Sequence, residues 1–363
     1  MYKREFMLLA VSLADKVKGI SSPNPNVGAV IVKNNEVIGK GFTQLYGKDH
    51  AEIQALKSCT KDPIDADLYV TLEPCSHYGK TPPCTDAIIK AGIKNVYAGI
   101  KDPNPKVNGQ GFQTLNKAGI NTKYPYCENI IKKQLEYYLH WMKYKKPFVI
   151  LKNAVSLDGK IAAENGESKW ITNEASRNKV HHLRQEVDAV MTTINTVIKD
   201  DPLLNVRLDE VKSHPQRVIL DPKLQIPTES QIFQTMSQYK TILFYDKNMK
   251  FDPMAKKKLH QCQTVAVSCE NYLLNIDEVL SALAEMNITS VLIEAGPTLS
   301  SCLLKNNLVN KLYYFIAPKI LGGTKNVFDH LDITNLVQQI NLQDINIEIL
   351  NSDILVTGYL KKK

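Results

Sequence analysis

The sequence has no hydrophobic run that approaches the length of a membrane span. A spanning helix needs about 20 apolar residues, whereas the apolar stretch at residues 6–11 follows Glu5 and is soon followed by Asp15. No A-x-A cleavage signal accompanies this stretch. Its apolar residues recur at helical spacing, so we expect an amphipathic first helix, no signal peptide and no membrane contact.

The chain also lacks the marks of a disulfide framework and of a Rossmann site. Its seven cysteines show no paired spacing, and such usage is typical of a reducing compartment, so we expect a cytoplasmic protein. No Gly-x-Gly-x-x-Gly follows a predicted strand, so a Rossmann nicotinamide site is not supported.

Length and charge set the next bounds. With 363 residues, of which 44% are hydrophobic, the chain is long enough for two domains with sizeable cores. It carries 45 Lys and Arg against 37 Asp and Glu, a net charge of +8. That excess suits an anionic ligand such as a phosphate or nucleic acid. The lysines are dispersed, however, so a solvated surface explains the excess equally well.

The most informative stretch runs from His50 to Cys84. One imidazole (His50) and two thiols (Cys75 and Cys84) are ligands that zinc prefers, and three protein ligands leave a fourth position open to water. Bound zinc lowers the pKa of that water to about 7. Glu52 is placed to carry protons to a leaving nitrogen. H-x-E followed by P-C-x-x-C is the pattern of zinc nucleobase deaminases, although here residues 76–83 separate the cysteines.

A structural zinc site is the alternative, because His77 lies inside the loop and is available as a fourth ligand. We favour the catalytic interpretation because Glu52 and Pro74 are both in place. The surroundings also fit an enzyme. A buried strand is predicted over Asp67–Leu72, and a helix is predicted to begin at Cys84, where its dipole favours the thiolate.

Strands and helices alternate along the chain, which indicates α/β layers in both halves. We predict a hairpin over residues 29–39, a strand at 96–100 and one helix over 128–145, which Pro147 ends. Thr172 or Asn173 is predicted to cap a later helix. Residues 290–298 read as a strand, a tight turn and a helix start, where backbone N–H groups can hold a phosphate.

Both halves together resemble the bifunctional riboflavin-biosynthesis deaminase/reductase family. In the first half the resemblance rests on residues 22–28 (SPNPNVG), 50–52 (HAE) and 71–84 (TLEPCSHYGKTPPC). The last block is very specific and accounts for the long cysteine spacing. In the second half it rests on residues 156–159 (SLDG), 166–172 (GESKWIT), 196–202 (TVIKDDP), 294–297 (EAGP) and 317–319 (APK).

The resemblance implies two consecutive reactions. Residues 1–146 would form a cytidine-deaminase-like α/β/α domain with one Zn²⁺. This domain would hydrolytically deaminate 2,5-diamino-6-(5-phosphoribosylamino)pyrimidin-4(3H)-one to the uracil. Residues 147–363 would form a dihydrofolate-reductase-like α/β domain that uses NADPH to reduce the ribosyl group to ribityl. The partner would be this small-molecule substrate, with neither nucleic acid nor membrane, and we expect a homo-oligomer.

The resemblance also assigns site residues. The NADPH positions are Ala154, Trp170, Thr196, Asp200, Asp221, Gly296, Pro297, Thr298, Leu299, Ser300, Ser301 and Cys302. The substrate positions are Ser168, Arg184, Leu204, Arg207 and Glu294. Without the family, Arg184 reads as a surface charge and Trp170 as a core residue. One position departs from the family pattern, since Gly41-Phe42 is followed by Thr43 where the family has a histidine.

Two other classes share parts of this pattern. A nucleic-acid deaminase has the same zinc site and suits the positive charge, but it generally keeps the short cysteine spacing and does not need a second domain. A non-catalytic zinc scaffold is the third class. Ammonia release separates the first two classes from the third, and NADPH oxidation separates the first from the second.

Overall fold

Two α/β units follow one another along the chain. The computed structural model describes residues 2–250 and 262–361, and the chain divides into Met1–Lys145 and Lys146–Lys363. No helix within the described ranges is both long and apolar enough to span a membrane.

The first unit is built on a five-stranded sheet in the order β2-β1-β3-β4-β5. The strands β1 and β2 form the predicted antiparallel hairpin, β1 also pairs antiparallel with β3, and β3, β4 and β5 run parallel. The strands are β1 (Gly28–Lys33), β2 (Glu36–Phe42), β3 (Asp67–Leu72), β4 (Asn95–Ile100) and β5 (Asn121–Lys123). The helices are α1 (Arg4–Asp15), α2 (Ala51–Lys57), α3 (Cys84–Lys90), α4 (Gln110–Lys117), α5 (Glu128–Gln134) and α6 (Glu136–Tyr144).

The single helix predicted over residues 128–145 is wrong, because the helix is interrupted at Leu135. No proline or glycine marks the break. Leu135 has φ −97° and ψ 13°, and its side chain is 1% exposed in the core of the unit. In the following helix α6, Tyr138 is also buried, and its hydroxyl donates to Asp102 Oδ1 at 2.9 Å. Packing therefore overrides the local helical pattern.

The second unit is built on a nine-stranded sheet in the order β10-β9-β8-β7-β13-β6-β14-β16-β15. Neighbours from β10 to β14 run parallel, and β16 and β15 continue antiparallel. The strands are β6 (Phe148–Ser156), β7 (Ala189–Thr193), β8 (Gln216–Leu220), β9 (Thr241–Asp246), β10 (Gln263–Val267), β13 (Ser290–Ile293), β14 (Lys311–Ala317), β15 (Leu342–Leu350) and β16 (Asp353–Leu360). A separate hairpin joins β11 (Cys269–Glu270) and β12 (Leu273–Leu274).

Helices cover this second sheet. They are α7 (Glu174–Glu186), α8 (Ile194–Asp200), α9 (Gln231–Gln234), α10 (Ile276–Glu285) and α11 (Pro297–Lys305), with a 3₁₀ turn at Leu336–Gln338. The predicted cap of α7 is confirmed, because the Asn173 side chain accepts from the Ser176 N–H at 3.0 Å. Alternate residues of the parallel strands, such as Val149, Met191 and Ile293, point into one apolar core.

Candidate active sites

Three separate elements bring the predicted zinc ligands together. His50 is the N-cap residue of α2, Cys75 follows β3, and Cys84 begins α3. His50 Nδ1 lies 3.5 Å from Cys75 Sγ and 3.3 Å from Cys84 Sγ, and the three ligand atoms all lie within 4.8 Å of one another. A tetrahedral zinc with ordinary bond lengths places its nitrogen and sulfur ligands roughly 3.5 Å apart. The three residues therefore fit this metal.

The fourth ligand that a structural site would need is not supplied by His77. Of the residues that the structure describes, only His50, Cys75 and Cys84 form a metal-type group. The Cys84 N–H donates to Cys75 Sγ at 3.4 Å. Hydrogen bonding between the two thiols lowers the pKa of Cys75 and, together with burial, raises the pKa of Cys84. The arrangement is the three-ligand type that keeps one position open.

Glu52 lies beside this triad in the first turn of α2. Its side chain is buried, with 4% of the residue exposed, and burial raises its pKa to about 7. A group with a pKa near the working pH can both accept and release a proton. The predicted proton carrier therefore occupies a dry position next to the ligands.

Two glycines of β2 let α2 approach closely enough to present His50 and Glu52. A Cβ atom on Gly41 would lie 2.2 Å from the Ala51 carbonyl oxygen, and one on Gly39 would lie 2.4 Å from the Ala55 carbonyl oxygen. Helix and strand backbones are thus in direct contact. Any side chain at these positions would push α2 away from the sheet.

Glu73 is a buried carboxylate whose role the sequence patterns did not indicate. It is 3% exposed. Its Oε2 accepts from the N–H groups of Asp102 and Gly109 at 3.1 and 3.0 Å, and Oε1 accepts from the Gly111 N–H at 3.0 Å. These bonds fasten the loop before α4 against the strand end that carries Cys75. An acid directly before Pro-Cys at the end of a buried strand is the signal for it.

Thr43, at the position where the family has a histidine, is engaged with the backbone. Its hydroxyl accepts from the Val27 N–H at 3.0 Å and is 3.4 Å from the Val27 carbonyl oxygen. The residue is 3% exposed. Thr43 therefore fastens the preceding loop to the end of β2.

In the second unit, the predicted cofactor positions gather at one edge of the sheet. Ala154 is near the carboxyl end of β6, Thr196 follows β7, Asp221 follows β8, and Gly296 follows β13. These four strands are neighbours, and β13 inserts between β7 and β6. Open α/β sheets bind their ligands outside the carboxyl ends of the strands, at such a change of strand order. The placement fits a nucleotide cofactor.

The turn at Gly296 offers space for a phosphate. Gly296 is the N-cap of α11, with Pro297 at its first position, and a Cβ added to Gly296 would meet nothing within 4 Å. Further along the helix the side chains turn inward, since Ser300 and Ser301 are both fully buried. At the remaining predicted positions of this helix, Thr298 is exposed, Leu299 is buried and Cys302 is half-buried.

The loop before α7 carries Trp170 and Ser168 beside this edge. The core reading of Trp170 is wrong, because it is 63% exposed and its ring lies 4.8 Å from the Arg177 guanidinium carbon. Lys169 Nζ donates to the Asp200 carbonyl oxygen at 2.9 Å, which joins this loop to the end of α8. Asp221 is instead fully buried and holds its own turn by accepting from the Ile226 N–H at 2.9 Å.

A buried charged cluster lies beside the cofactor positions. Arg184 donates from Nε to Glu294 Oε1 at 2.6 Å and from Nη2 to Glu294 Oε2 at 3.1 Å. Lys152, which the sequence patterns did not single out, donates to the same carboxylate at 3.2 Å. Arg184 is only 9% exposed, so its reading as a surface charge is wrong. The structure thus brings together two of the five predicted substrate residues.

The segment at residues 204–207 adds two more of the predicted substrate residues. Leu204 is buried with φ 53°, and Arg207 donates from Nη1 to Asn205 Oδ1 at 2.8 Å. The Asn205 carbonyl oxygen in turn accepts from Arg184 Nη1 at 3.0 Å. Ser168 forms no hydrogen bond to this cluster among residues 2–250 and 262–361.

Glu294 makes the stability of this unit depend on pH. Burial opposes its ionisation, but Arg184 and Lys152 hold the pKa of Glu294 well below its usual range. A lowered folded-state pKa contributes stability that is present above the unfolded value of about 4.3 and is lost as the pH falls below it. We expect the stability difference between wild type and Glu294→Gln to be largest at neutral pH and to shrink below about pH 4. Urea titrations from neutral to acid pH measure this difference.

The control is Glu270→Gln at an exposed position of the same unit, where loss of a solvated charge should change the stability little. A stability difference for Glu294→Gln that does not change between neutral and acid pH would contradict the ionised, paired state of Glu294.

Together, an open three-ligand zinc site with a buried glutamate and a separate sheet with a nucleotide-type edge define a zinc deaminase joined to a reductase. Residues 1–100 match the family model of the cytidine and deoxycytidylate deaminase zinc-binding region. Residues 147–356 match that of the RibD C-terminal domain.

Full-length relatives give the family. The riboflavin biosynthesis protein RibD of Aquifex aeolicus is 38% identical, with 97% of each chain covered. That of Bacillus amyloliquefaciens is 40% identical, covering 88% of this chain and 85% of its own. The solved structure of Acinetobacter baumannii RibD has a TM-score of 0.90 at 36% identity and covers 99% of both chains. The chain belongs to the RibD family of bifunctional riboflavin-biosynthesis deaminase/reductases.

A structure from Thermotoga maritima carries the two activities in its name, diaminohydroxyphosphoribosylaminopyrimidine deaminase and 5-amino-6-(5-phosphoribosylamino)uracil reductase. It is 36% identical with a TM-score of 0.87, and covers 99% of this chain and 98% of its own. The predicted family and both fold classes, deaminase-like and dihydrofolate-reductase-like, are thereby confirmed. Zinc and NADPH, the predicted cofactors, are those of this family.

Proposed function

We propose that this protein deaminates 2,5-diamino-6-(5-phosphoribosylamino)pyrimidin-4(3H)-one and then reduces the resulting 5-amino-6-(5-phosphoribosylamino)uracil to the ribitylamino product with NADPH. The observation that carries the proposal is the triad of His50, Cys75 and Cys84 within 4.8 Å, with buried Glu52 beside it, on a chain that also has the reductase domain.

In the deaminase site, His50, Cys75 and Cys84 would hold the zinc ion. When bound, the metal supplies a water molecule that is acidic enough to ionise near neutral pH. Glu52 accepts the proton of the attacking water and delivers a proton to the amino nitrogen of the ring, which leaves as ammonia. Because Glu52 is 4% exposed, bulk water does not compete for this proton.

In the reductase site, the edge formed by β6, β7, β8 and β13 would hold NADPH, with a phosphate at the N-terminus of α11. NADPH supplies the hydride when it is bound. The guanidiniums of Arg184 and Arg207 bind and orient the phosphorylated ribosyl group, since arginine can hold a phosphate with two parallel hydrogen bonds. The Glu294 carboxylate fixes Arg184 through the bidentate contact at 2.6 and 3.1 Å.

A coupled assay tests both reactions at once. Purified protein with the diaminopyrimidine substrate should release ammonia, and NADPH oxidation should begin only as the deaminated product accumulates. Ammonia release without NADPH oxidation would contradict the second activity. NADPH oxidation with the supplied 5-amino-6-(5-phosphoribosylamino)uracil, but no ammonia release from the diamino compound, would contradict the first activity.

The three ligands of the deaminase site lead to a prediction of the zinc content of the purified protein. We expect about one tightly bound zinc ion per chain, because the three ligands form a single site. Cys75→Ser combined with Cys84→Ser should reduce the zinc content to background, since hydroxyl oxygens are poor replacements for thiolates at such a site. Metal analysis of the two proteins measures this. Cys59→Ser is the matched control, and full zinc occupancy in the double variant would contradict the assignment.

We expect Arg207 to bind the phosphate of the reductase substrate. A lysine supplies a point charge and not a planar fork, so Arg207→Lys should raise KM for the phosphorylated substrate and lower kcat/KM roughly tenfold to a hundredfold. KM for NADPH should stay nearly unchanged. If Arg207 instead binds the 2′-phosphate of the cofactor, KM for NADPH would rise and the preference over NADH would shrink. Steady-state kinetics with both cofactors distinguishes these outcomes.

We also propose a cytoplasmic location and a homo-oligomeric state. The location is supported by the seven free thiols, which suit a reducing compartment. Sedimentation of the purified protein would measure the oligomeric state. The domain limits 1–146 and 147–363 and the individual site residues likewise stay predictions, which limited proteolysis and the variants described here would test.

A further inference from the structure

Asn205 lies in the segment between α8 and β8. All three of its polar groups that face the cluster are engaged. Its carbonyl oxygen accepts from Arg184 Nη1 at 3.0 Å, its Oδ1 accepts from Arg207 Nη1 at 2.8 Å, and its Nδ2 donates to the Tyr239 hydroxyl at 3.3 Å. Asn205 is 8% exposed. Among the residues that the structure describes, Asn205 is therefore the one that hydrogen-bonds to both guanidiniums at 3.0 Å or less.

We propose that Asn205 is a positioning residue of the reductase: it orients the guanidiniums of Arg184 and Arg207 as one anion-binding pair for the substrate phosphate. The proposal rests on the proposed function, in which these two arginines bind the phosphorylated ribosyl group. It adds the residue that determines how they are presented.

The two arginines differ in how many of their N–H donors are already engaged. A guanidinium has five N–H donors. Arg184 uses Nε and Nη2 on Glu294 and Nη1 on Asn205, so most of its fork is occupied. The side chain of Arg207 makes only the bond to Asn205 among the described residues. The Nε and Nη2 groups of Arg207 are therefore available for a bidentate contact with a phosphate.

A neutral amide suits this role better than a carboxylate. The two guanidiniums repel each other, and burial together with the charge of Arg184 lowers the pKa of Arg207. The Asn205 side-chain amide gives Arg207 an acceptor without cancelling its charge, and the main-chain carbonyl of the same residue does so for Arg184, so the pair keeps its attraction for an anion. A carboxylate at this position would form an ion pair with Arg207 and compete with the phosphate.

The backbone directly after Asn205 is held by two histidines, which makes its orientation well defined. The Val206 N–H donates to His214 Nδ1 and the Arg207 N–H donates to His181 Nδ1, each at 3.3 Å. Burial lowers the pKa of both histidines, to about 4 for His181. Both rings are thus neutral near pH 7 and can accept these bonds. The asparagine is fixed before any substrate arrives.

The test uses the full-length protein and compares Asn205→Ala, Arg207→Ala and the double variant. We expect Asn205→Ala to raise KM for the phosphoribosyl substrate and Ki for inorganic phosphate by about tenfold or more. KM for NADPH should not change, and kcat on the dephosphorylated ribosylamino substrate should not change either. The double variant should be little worse than Arg207→Ala, because both changes remove the same oriented contact. The exposed Asn178, changed to Ala, is the control.

The nearly isosteric Asn205→Asp provides a second test of the positioning role if the alanine variant is unstable. It should weaken inhibition by inorganic phosphate, because its carboxylate pairs with Arg207. If Arg207→Ala raises both constants and neither Asn205 variant does, the positioning role is overturned while the substrate role of Arg207 stands. If no variant changes the phosphate constants, the phosphate role of the arginines and the positioning role both fall. A rise in KM for NADPH with Asn205→Ala would reduce Asn205 to general support of the fold.

Discussion

Glu52→Gln is expected to abolish ammonia release while zinc stays bound and the reductase keeps its activity. The amide is nearly isosteric with the carboxylate, so it should disturb neither α2 nor the neighbouring ligand His50. It cannot accept a proton from water and deliver one to the leaving nitrogen. Loss of a general acid–base group typically costs about 10²–10⁴-fold, and this single residue is asked to perform both transfers, so the upper part of that range applies.

Three measurements make the result specific. Metal analysis should show the same zinc content as wild type, and the variant should oxidise NADPH normally when it receives the already deaminated substrate. Glu36→Gln, an exposed position in the same unit, is the matched control and should deaminate normally. Unchanged ammonia release by Glu52→Gln would exclude Glu52 as the proton carrier, whereas loss of zinc together with activity would make it a structural residue of the site.

The deaminase half could be predicted well from sequence because its chemistry is concentrated in short segments. His50 and Glu52 are two residues apart, and Cys75 and Cys84 each adjoin a strong strand or helix signal. Zinc ligands are few in type, so their presence limits the possible chemistry. What the sequence did not indicate is the support behind them. The contacts of Glu73 with backbone groups at residues 102–111 depend on tertiary packing and leave no periodic pattern.

The reductase half needed the resemblance because its site is assembled from distant segments. Arg184 and Glu294 lie 110 residues apart in the chain, yet they share two hydrogen bonds. The sequence around a lone arginine on a polar helix has no feature that shows whether its side chain is buried or exposed. Strand β15 shows the converse problem. Residues 345–349 alternate Ile with polar side chains, as a half-buried strand does, but Ile345, Ile347 and Ile349 are 57%, 64% and 65% exposed. This strand was not predicted.

Replacing Arg217 by Met should destabilise the reductase unit more than any other single change considered. Arg217 is fully buried. Its guanidinium donates to the hydroxyls of Thr235 and Thr241 at 2.8 Å and to the carbonyl oxygens of Ile232 and Tyr239 at 3.0 and 3.2 Å. No ion pair to it is formed among residues 2–250 and 262–361. Burial lowers its pKa to about 10, so it is still charged at neutral pH.

The loss should be large because methionine fills the space but donates no hydrogen bond. Each buried acceptor left without a partner costs about 1–3 kcal/mol, so the total should be at least about 3 kcal/mol even if some hydroxyls find new partners. The stability of Arg217→Lys should lie between that of wild type and that of Arg217→Met, since a lysine ammonium has three donors but lacks the planar arrangement of a guanidinium.

The two activities of one chain report this effect separately. In a urea series, the midpoint for loss of NADPH oxidation by Arg217→Met should fall well below that of wild type, while the midpoint for loss of ammonia release stays the same. Arg4→Met, at an exposed position of α1, should shift neither midpoint. Equal shifts of both midpoints would show that the units do not unfold independently, and an unshifted reductase midpoint would show that the buried guanidinium contributes little. The carbonyl oxygen of Leu203, 3.5 Å from Arg217 Nη1, links this guanidinium to the segment that carries Asn205 and Arg207. A destabilised Arg217→Met should for that reason also bind the phosphorylated substrate more weakly before it unfolds.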